Sequence, residues 1–240
     1  MTSPVLSYYG AKWRATPHYP APTEGLIVEP FAGSAGYSVR HGQGRAVLLI
    51  DKDPRIVAIW EFLIGASADD VRALPLLDLD ATAQDLPADI PDGARELIRG
   101  WLQGASRNGK NSFSSMAKAA FAANPNTPSF WGAACRERIA SQVAGFKGWG
   151  VILGSYSDAP DEPASWFVDP PYDNTAGETY RFGRKGIDYA HLAQWCRSRD
   201  GQVIVCENMG ATWLPFRPLY GTAHSWTGKT SRKAVEGVWP

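Results

Sequence analysis

The chain has 240 residues, of which 44% are hydrophobic, and 24 basic residues balance 24 acidic ones, so its formal net charge is zero. This composition excludes a wholly disordered chain, which would be poor in apolar residues and highly charged. No apolar run approaches the ~20 residues of a membrane span, and the N-terminus has no signal-peptide pattern, so we expect no membrane association. Three widely spaced cysteines give neither a disulfide framework nor a zinc motif, which fits a reducing cytoplasm.

The neutral total conceals two segments of opposite charge. Residues 51–92 contain ten acidic and three basic residues, whereas residues 93–150 contain eight basic and two acidic residues. The basic segment either faces phosphates or forms a solvated helical surface, and charge alone favours neither interpretation.

Short apolar runs alternate with helical patterns in the first part of the chain. Leu26–Val28 and Ala46–Ile50 are predicted to be buried strands. A small-residue turn and a short helix to about His41 separate them, and a second helix begins near Pro54. Strand, helix, strand and helix in this order predict an α/β fold with a parallel sheet.

The pattern weakens at residues 66–128, which contain several prolines and an acidic portion. We interpret 66–128 as an inserted, mostly helical region, and residues 1–65 and 129–240 as the main domain. The elements predicted beyond the insertion are a helix at about 131–144, strands at 151–153, 166–168 and 202–207, a helix at 189–199, and a C-terminal β-hairpin from Ala223 to Trp239 with its turn at Gly228–Ser231.

The turn Glu29–Gly36 follows the first predicted strand and is rich in small residues. Such residues let the backbone approach a ligand closely, and ligands bind beyond the carboxyl ends of parallel strands. Asp51 ends the next strand and is a candidate acceptor for ribose hydroxyls. The dinucleotide pattern G-x-G-x-x-G is absent, so a packing turn explains this segment equally well when it is taken alone.

Asp169-Pro170-Pro171-Tyr172 directly follows a buried strand. Two prolines fix two φ angles and remove two N–H donors, so a carboxylate and carbonyl acceptors are held beside an aromatic ring. This arrangement suits a planar substrate that carries an amine: Asp169 and the Pro170 carbonyl accept the amine hydrogens, and Tyr172 stacks on the ring. Hydrogen bonds to both N–H groups favour a nitrogen with a localised lone pair. We prefer this interpretation to that of a simple strand-ending turn.

A third group, Tyr8-Tyr9-Gly10-Ala11-Lys12, precedes the first strand, and taken alone it is best explained as an ordinary N-terminal loop. Together, however, the three groups resemble the Dam-type DNA adenine-N6 methyltransferases. The resemblance extends from residue 8 to the end of the chain and is weakest at 66–130. Asp-Pro-Pro-Tyr is shared with other amino-methyltransferases, and the order of all the parts is much more specific.

The resemblance implies a Rossmann-like, seven-stranded, mainly parallel sheet with helices on both faces, and S-adenosylmethionine as cofactor. It implies that Asp169, Pro170, Pro171 and Tyr172 form the catalytic loop, and that the target adenine flips out of duplex DNA into the pocket. The positions that match cofactor-contacting residues of the family are Tyr8, Lys12, Phe31, Gly33, Ser34, Asp51 and Asp169. No metal is implied.

In this family the target-recognition region lies between the cofactor turn and Asp-Pro-Pro-Tyr, which corresponds to 66–128. We therefore expect DNA contacts from Arg107, Asn108, Lys110 and Asn111. Arg181, Arg184 and Lys185 follow the catalytic loop and either hold phosphates around the flipped base or form a solvated loop. Double-stranded DNA is the expected partner; a stand-alone monomer suffices for the reaction, and pairing with a restriction endonuclease is the alternative arrangement.

The chain departs from the family pattern at two small residues. Ala11 stands where a second glycine is common, and the turn reads Gly-Ser-Ala-Gly rather than Gly-Ser-Gly or Gly-Ala-Gly. Three alternatives remain: a methyltransferase acting on cytosine N4 or on RNA, a catalytically silent module of the same fold that binds DNA or protein, and a dinucleotide-dependent oxidoreductase. The aspartate that opens Asp-Pro-Pro-Tyr favours adenine, because cytosine-N4 enzymes more often have serine there.

Overall fold

A computed structural model describes residues 3–103, 111–219 and 235–239, and these residues form one seven-stranded sheet. The strands are β1 (Leu26–Glu29), β2 (Ala46–Asp51), β3 (Gly150–Leu153), β4 (Ala164–Val168), β5 (Gly201–Asn208), β6 (Arg217–Pro218) and β7 (Glu236–Trp239). Their order is β3-β2-β1-β4-β5-β7-β6. The first five are parallel, and β7 runs antiparallel to both β5 and β6. The predicted α/β class and mainly parallel sheet are therefore confirmed.

The α-helices of the described residues are α1 (Gly36–His41), α2 (Pro54–Gly65), α3 (Ala68–Arg72), α4 (Asp92–Gln103), α5 (Ser115–Ala123), α6 (Ala133–Ala140) and α7 (Tyr189–Ser198). Helix α2 begins where the sequence predicts, because Pro54 occupies its first turn and the Asp53 side chain caps it by accepting from the Arg55 amide at 3.0 Å. Among the described residues, no helix is both long and apolar enough to cross a membrane.

Helices cover the sheet on both faces, and alternate strand residues point to opposite sides. Ile27 and Phe167 pack in one core cluster with helix α2, whereas Val28 and Trp166 pack in another with helix α7. A strand that is buried on both faces reads as a continuous apolar run. All five residues of β4 are buried for this reason.

The described part of 66–128 contains the helices α3, α4 and α5, separated by non-helical stretches, and its status as an inserted, mostly helical region stays a prediction. Helix α4 packs closely on α2: a Cβ added at Gly93 would lie 2.0 Å from the carbonyl oxygen of Ala58. The apolar face of α4 joins the same core cluster as α2. The close approach requires glycine at this position.

Two predicted elements differ from the structure. The helix predicted at about 131–144 is divided into α6 and a 3₁₀ turn at Val143–Phe146. Trp131 lies before the extended cap residue Gly132, and its indole donates to the Pro75 carbonyl at 2.9 Å. In the predicted C-terminal hairpin, β7 pairs with Arg217–Pro218, upstream of the predicted start at Ala223, and the predicted turn lies outside the described residues.

Candidate functional site

A cleft of about 570 Å³ opens where β1, β2 and β4 end. These strands are neighbours in the sheet, so the residues after each of them meet at one edge. The cleft is lined by Phe31–Ser34, Asp51 and Asp169, by Tyr8–Lys12, and by part of the loop 178–187. The structure thus brings the three sequence groups together in a cavity of the roughly 300–1,000 Å³ size that is typical of small-molecule sites.

Asp51 holds the turn after β1 through a hydrogen bond. The Gly33 amide donates to Oδ2 of Asp51 at 2.9 Å, and the Asp53 amide donates to Oδ1 at 2.8 Å. Burial raises the pKa of Asp51 to about 6, although the backbone hydrogen bonds oppose this rise. From the other side, the Trp60 indole donates to the Gly33 carbonyl at 3.0 Å. Two of these hydrogen bonds, one to the amide and one to the carbonyl of Gly33, therefore hold the turn in one conformation.

Two residues of this turn adopt the left-handed conformation. Gly33 has a φ of +45°, and so has Ala35. For Ala35, an L-residue, this backbone conformation costs roughly 1–2 kcal/mol. The turn therefore carries local strain at Ala35.

Asp169 directly follows β4 and lies beside Lys12, whose side chain is largely covered. Lys12 Nζ lies 2.8 Å from Oδ1 of Asp169 and 3.8 Å from Oε1 of Glu236. The side chains of Lys12 and Asp169 are 11% and 19% exposed. The cluster of Lys12, Asp169 and Glu236 therefore contains two acidic groups and one basic group in a setting with little water.

Burial and charge act in opposite directions on these groups. Burial raises the pKa of Asp169 to about 6; Lys12 lowers this pKa, and Glu236 raises it. Burial alone would lower the pKa of Lys12, but Asp169 and Glu236 raise it above its ordinary value, so this lysine stays charged. Burial also raises the pKa of the nearby Glu29 to about 8, so that this carboxyl is mainly neutral at pH 7.

The three residues after Asp169 do not all face the cleft. Pro171 lines it, and its carbonyl accepts from the Tyr189 hydroxyl. Pro170 is buried and does not line the cleft. Tyr172 does not line it either: its hydroxyl donates to Glu236, and Lys12 Nζ lies 4.7 Å from its ring centroid. Substrate contacts of Pro170 and Tyr172 remain predictions.

The loop 178–187 closes one side of the cleft. The Tyr180 hydroxyl donates to the Tyr9 carbonyl at 3.3 Å, and its ring centroid lies 6.1 Å from that of Tyr8. Arg181 forms an ion pair with Asp53 at 3.4 Å. These contacts tie the loop to the N-terminal segment and to the start of α2.

The predicted phosphate-binding residues of this loop have different positions. Arg181 and Lys185 line the cleft and are exposed. Arg184 does not line it and pairs with Asp173 at 2.8 Å and with Glu178 at 2.9 Å. The first two residues are therefore better placed for an anionic ligand than the third.

Most of the predicted DNA contacts of the inserted region lie outside the described residues, namely Arg107, Asn108 and Lys110. Asn111 is described and exposed, and its carbonyl accepts from the Ala83 amide. It does not line the cleft. A role in DNA binding stays a prediction for all four.

Three residues of the site were not predicted from the sequence: Tyr180 and Asp53 line the cleft, and Glu236 lies beside Lys12 without lining it. Glu236 is a single acid in a segment without a motif, and only the sheet order brings it beside Lys12. The position of Asp53 could have been predicted from the sequence. It precedes Pro54 at a helix start and lies only two residues after Asp51, so it faces the same edge of the sheet as Asp51.

No protein-family model matches the chain, and no curated protein matches it significantly.

Proposed function

We propose that this chain is an S-adenosylmethionine-dependent methyltransferase that acts on adenine N6 in double-stranded DNA. The observation that supports this most strongly is the position of Asp169. Its buried carboxylate ends a central strand and shares one cleft with a glycine turn fastened by a second carboxylate, Asp51. The cleft therefore combines a nucleotide-type site with an acceptor for a substrate amine.

The residues of the turn fit the proposed cofactor. Phe31 offers an apolar ring, the turn at Gly33 brings backbone close to a ligand, and Asp51 offers acceptor capacity for ribose hydroxyls. Tyr8, Lys12, Ser34 and Asp169 complete the set that would hold it. Bound S-adenosylmethionine supplies a methyl group that is activated by a positively charged sulfur.

The chain's own residues orient the amine that accepts this group. The ion pair with Lys12 uses Oδ1 of Asp169, which leaves Oδ2 to accept a hydrogen from the adenine amine. The Pro170 carbonyl accepts the second hydrogen, and Tyr172 stacks on the flipped base. The Asp169 carboxylate is held in place by Lys12 before the substrate arrives, so positioning and preorganised dipoles provide most of the catalysis.

The DNA phosphates on either side of the flipped base have candidate partners at the cleft. Arg181 and Lys185 lie on the loop that covers it and present exposed positive charge. Phosphate contacts of this kind position DNA without reading its sequence. Sequence recognition would then come from the region 66–128.

The decisive experiment is methylation of mixed-sequence duplex DNA with labelled S-adenosylmethionine, followed by nucleoside analysis and modified-base sequencing. We expect N6-methyladenine in a fixed sequence context. N4-methylcytosine would overturn the substrate and keep the chemistry. Label on RNA alone would overturn the DNA partner, and cofactor binding without transfer would identify a silent binding module.

Activity is expected to fall as the pH drops through about 6. Asp169 must be ionised to accept the amine hydrogen, and burial raises its pKa to about 6, so protonation below this pH removes the acceptor. The measurement is kcat/KM for DNA between pH 5 and pH 9, with circular dichroism at each pH to confirm that the protein is folded. A folded enzyme with constant kcat/KM down to pH 5 would contradict the assignment.

Gly33→Ala is expected to weaken cofactor binding about tenfold or more. A Cβ at Gly33 would lie 3.1 Å from the Tyr8 ring, and the φ of +45° strains any L-residue. The contact pushes Tyr8 or the turn into the cleft, and loss of about 1.4 kcal/mol of binding energy corresponds to a factor of ten. Isothermal calorimetry with S-adenosylmethionine measures the change.

Gly44→Ala is the matched control. Gly44 also has a positive φ, +76°, but an added Cβ would meet nothing within 4 Å. Both variants should therefore lose stability through backbone strain, while only Gly33→Ala should lose affinity for the cofactor. Equal affinities in the two variants would show that the turn does not hold the cofactor.

A further inference from the structure

Glu236 opens β7 and joins three parts of the site through one carboxylate oxygen. Oε1 accepts from the Tyr19 hydroxyl at 2.6 Å and from the Tyr172 hydroxyl, and it lies 3.8 Å from Lys12 Nζ. The side chain of Glu236 is 17% exposed. A single, largely covered acid thus contacts Lys12 and Tyr19 near the N-terminus and Tyr172 in the catalytic loop.

The two phenols are permanent donors to this carboxylate. Burial raises the pKa of Tyr19 and of Tyr172 well above its ordinary value, and the negative charge of Glu236 adds to the rise. Neither hydroxyl therefore ionises near neutral pH. Hydrogen bonds to an ionised acceptor are short and about twice as strong as neutral ones, so Glu236 fixes the ring of Tyr172 firmly.

The position of Tyr172 also fixes that of Lys12. The Lys12 ammonium lies over the Tyr172 ring, 4.7 Å from its centroid, and forms the ion pair with Asp169. Tyr172, Lys12 and Asp169 therefore form a chain of spatial contacts. Glu236 contacts the first two of them. A buried charge is costly unless it is paired and hydrogen-bonded. Glu236 has three such partners, namely Tyr19, Tyr172 and Lys12. An apolar side chain would fill the same space but would make none of these polar contacts.

We propose that Glu236 is a positioning residue, which sets Tyr172 and Lys12 relative to the Asp169 carboxylate. This inference deepens the proposed methyl transfer and rests on it. Glu236 acts through its neighbours: it holds the loop that receives the target base and keeps Lys12 shared between two carboxylates. Without its charge, Lys12 pairs with Asp169 alone and Tyr172 loses its strongest anchor.

The shared lysine couples Glu236 to the protonation of Asp169. The charge of Glu236 raises the pKa of Asp169, and Lys12 lowers it. Other titratable groups that act on this region are Glu207, Glu29, Cys206, Tyr19 and Tyr172. Removal of the charge at position 236 takes away one of the influences that raise this pKa, so the pKa of Asp169 should fall.

The test compares Glu236→Gln with the wild-type protein and with Glu162→Gln. Glu162 is an exposed acid at the opposite end of β4, so it controls for the loss of one charge. For Glu236→Gln we expect kcat to fall about tenfold and the acid limb of the pH profile to move to lower pH. A purely structural role would not move that limb.

Two further measurements keep the inference falsifiable. Carbon NMR of labelled aspartate follows the pKa of Asp169 without any activity, so it decides the coupling even if the wild-type protein methylates nothing, a result that would refute the proposed function separately. If Glu236→Gln does not fold, Tyr172→Phe decides, because it removes the same hydrogen bond and should lower kcat. An unchanged acid limb and Asp169 pKa in folded Glu236→Gln, or wild-type kcat in Tyr172→Phe, would overturn the proposal.

Discussion

Asp169→Asn is expected to lower kcat for DNA methylation by at least about 10²–10³-fold, the effect of removing one preorganised group from an active site. The amide keeps one acceptor oxygen but places an NH₂ group either towards the substrate amine or towards Lys12 Nζ, which lies 2.8 Å from the present carboxylate. In both orientations a donor faces a donor. The measurement is single-turnover methylation of the duplex substrate at saturating cofactor, in which chemistry is observed without product release.

This substitution also breaks a buried ion pair, so loss of fold must be separated from loss of catalysis. Removing one partner of such a pair costs roughly 3–5 kcal/mol, and Lys12 Nζ would keep the Gly10 carbonyl at 3.3 Å and the Glu236 carboxylate at 3.8 Å. The double variant Lys12→Met/Asp169→Asn removes both charges and should recover much of the thermal stability without recovering activity. Glu162→Gln, an acid-to-amide change at an exposed position, should behave as wild type. Substantial activity in a folded Asp169→Asn protein would refute the catalytic role of Asp169.

The central part of the fold could be predicted from the sequence because parallel strands are buried on both faces. Leu26–Glu29, Ala46–Asp51 and Ala164–Val168 read as apolar runs that end in an acid or near one. Ligand sites of open α/β sheets lie beyond these ends. The sequence therefore suffices to predict that Asp51 and Asp169 lie at one edge of the sheet.

The remaining part of the site depends on contacts between distant segments, which leave no local pattern. Tyr19 and Glu236 are 217 positions apart, and Tyr172 and Glu236 are 64 positions apart. Their meeting requires the antiparallel insertion of β7 beside β5. The orientation of the Tyr172 ring could not be predicted for the same reason, because its hydroxyl donates to Glu236 on β7.

Glycine patterns show a further limit of sequence reasoning. The turn after β1 keeps a left-handed residue at Ala35, where glycine is the expected solution. Backbone conformation is decided by the whole turn, which Asp51 and Trp60 fasten through Gly33. A turn can thus hold an L-residue in the left-handed conformation where its other contacts fix the backbone.

Asp51→Asn is expected to weaken binding of S-adenosylmethionine by about 10–100-fold. The two carboxylate oxygens of Asp51 accept from the amides of Gly33 at 2.9 Å and of Asp53 at 2.8 Å. An amide side chain can accept only one of them, because its nitrogen faces the other N–H as a second donor. A lost hydrogen bond to a charged group is worth about 1.5–3 kcal/mol, and every 1.4 kcal/mol is a factor of ten in Kd.

Isothermal calorimetry at pH 8, above the pKa of about 6 that burial gives to Asp51, measures this loss with the wild-type carboxylate ionised. The wild-type affinity should itself decrease as the pH falls through about 6, because protonation also leaves one oxygen fewer to accept. Asp51→Asn should be less sensitive to pH over this range, since it has no carboxylate to titrate there. Asp89→Asn, at an exposed acid, controls for the general effect of charge. If Asp51→Asn binds S-adenosylmethionine as tightly as the wild-type protein does, the cofactor lies elsewhere. The Asp51 carboxylate would then serve only to shape the turn.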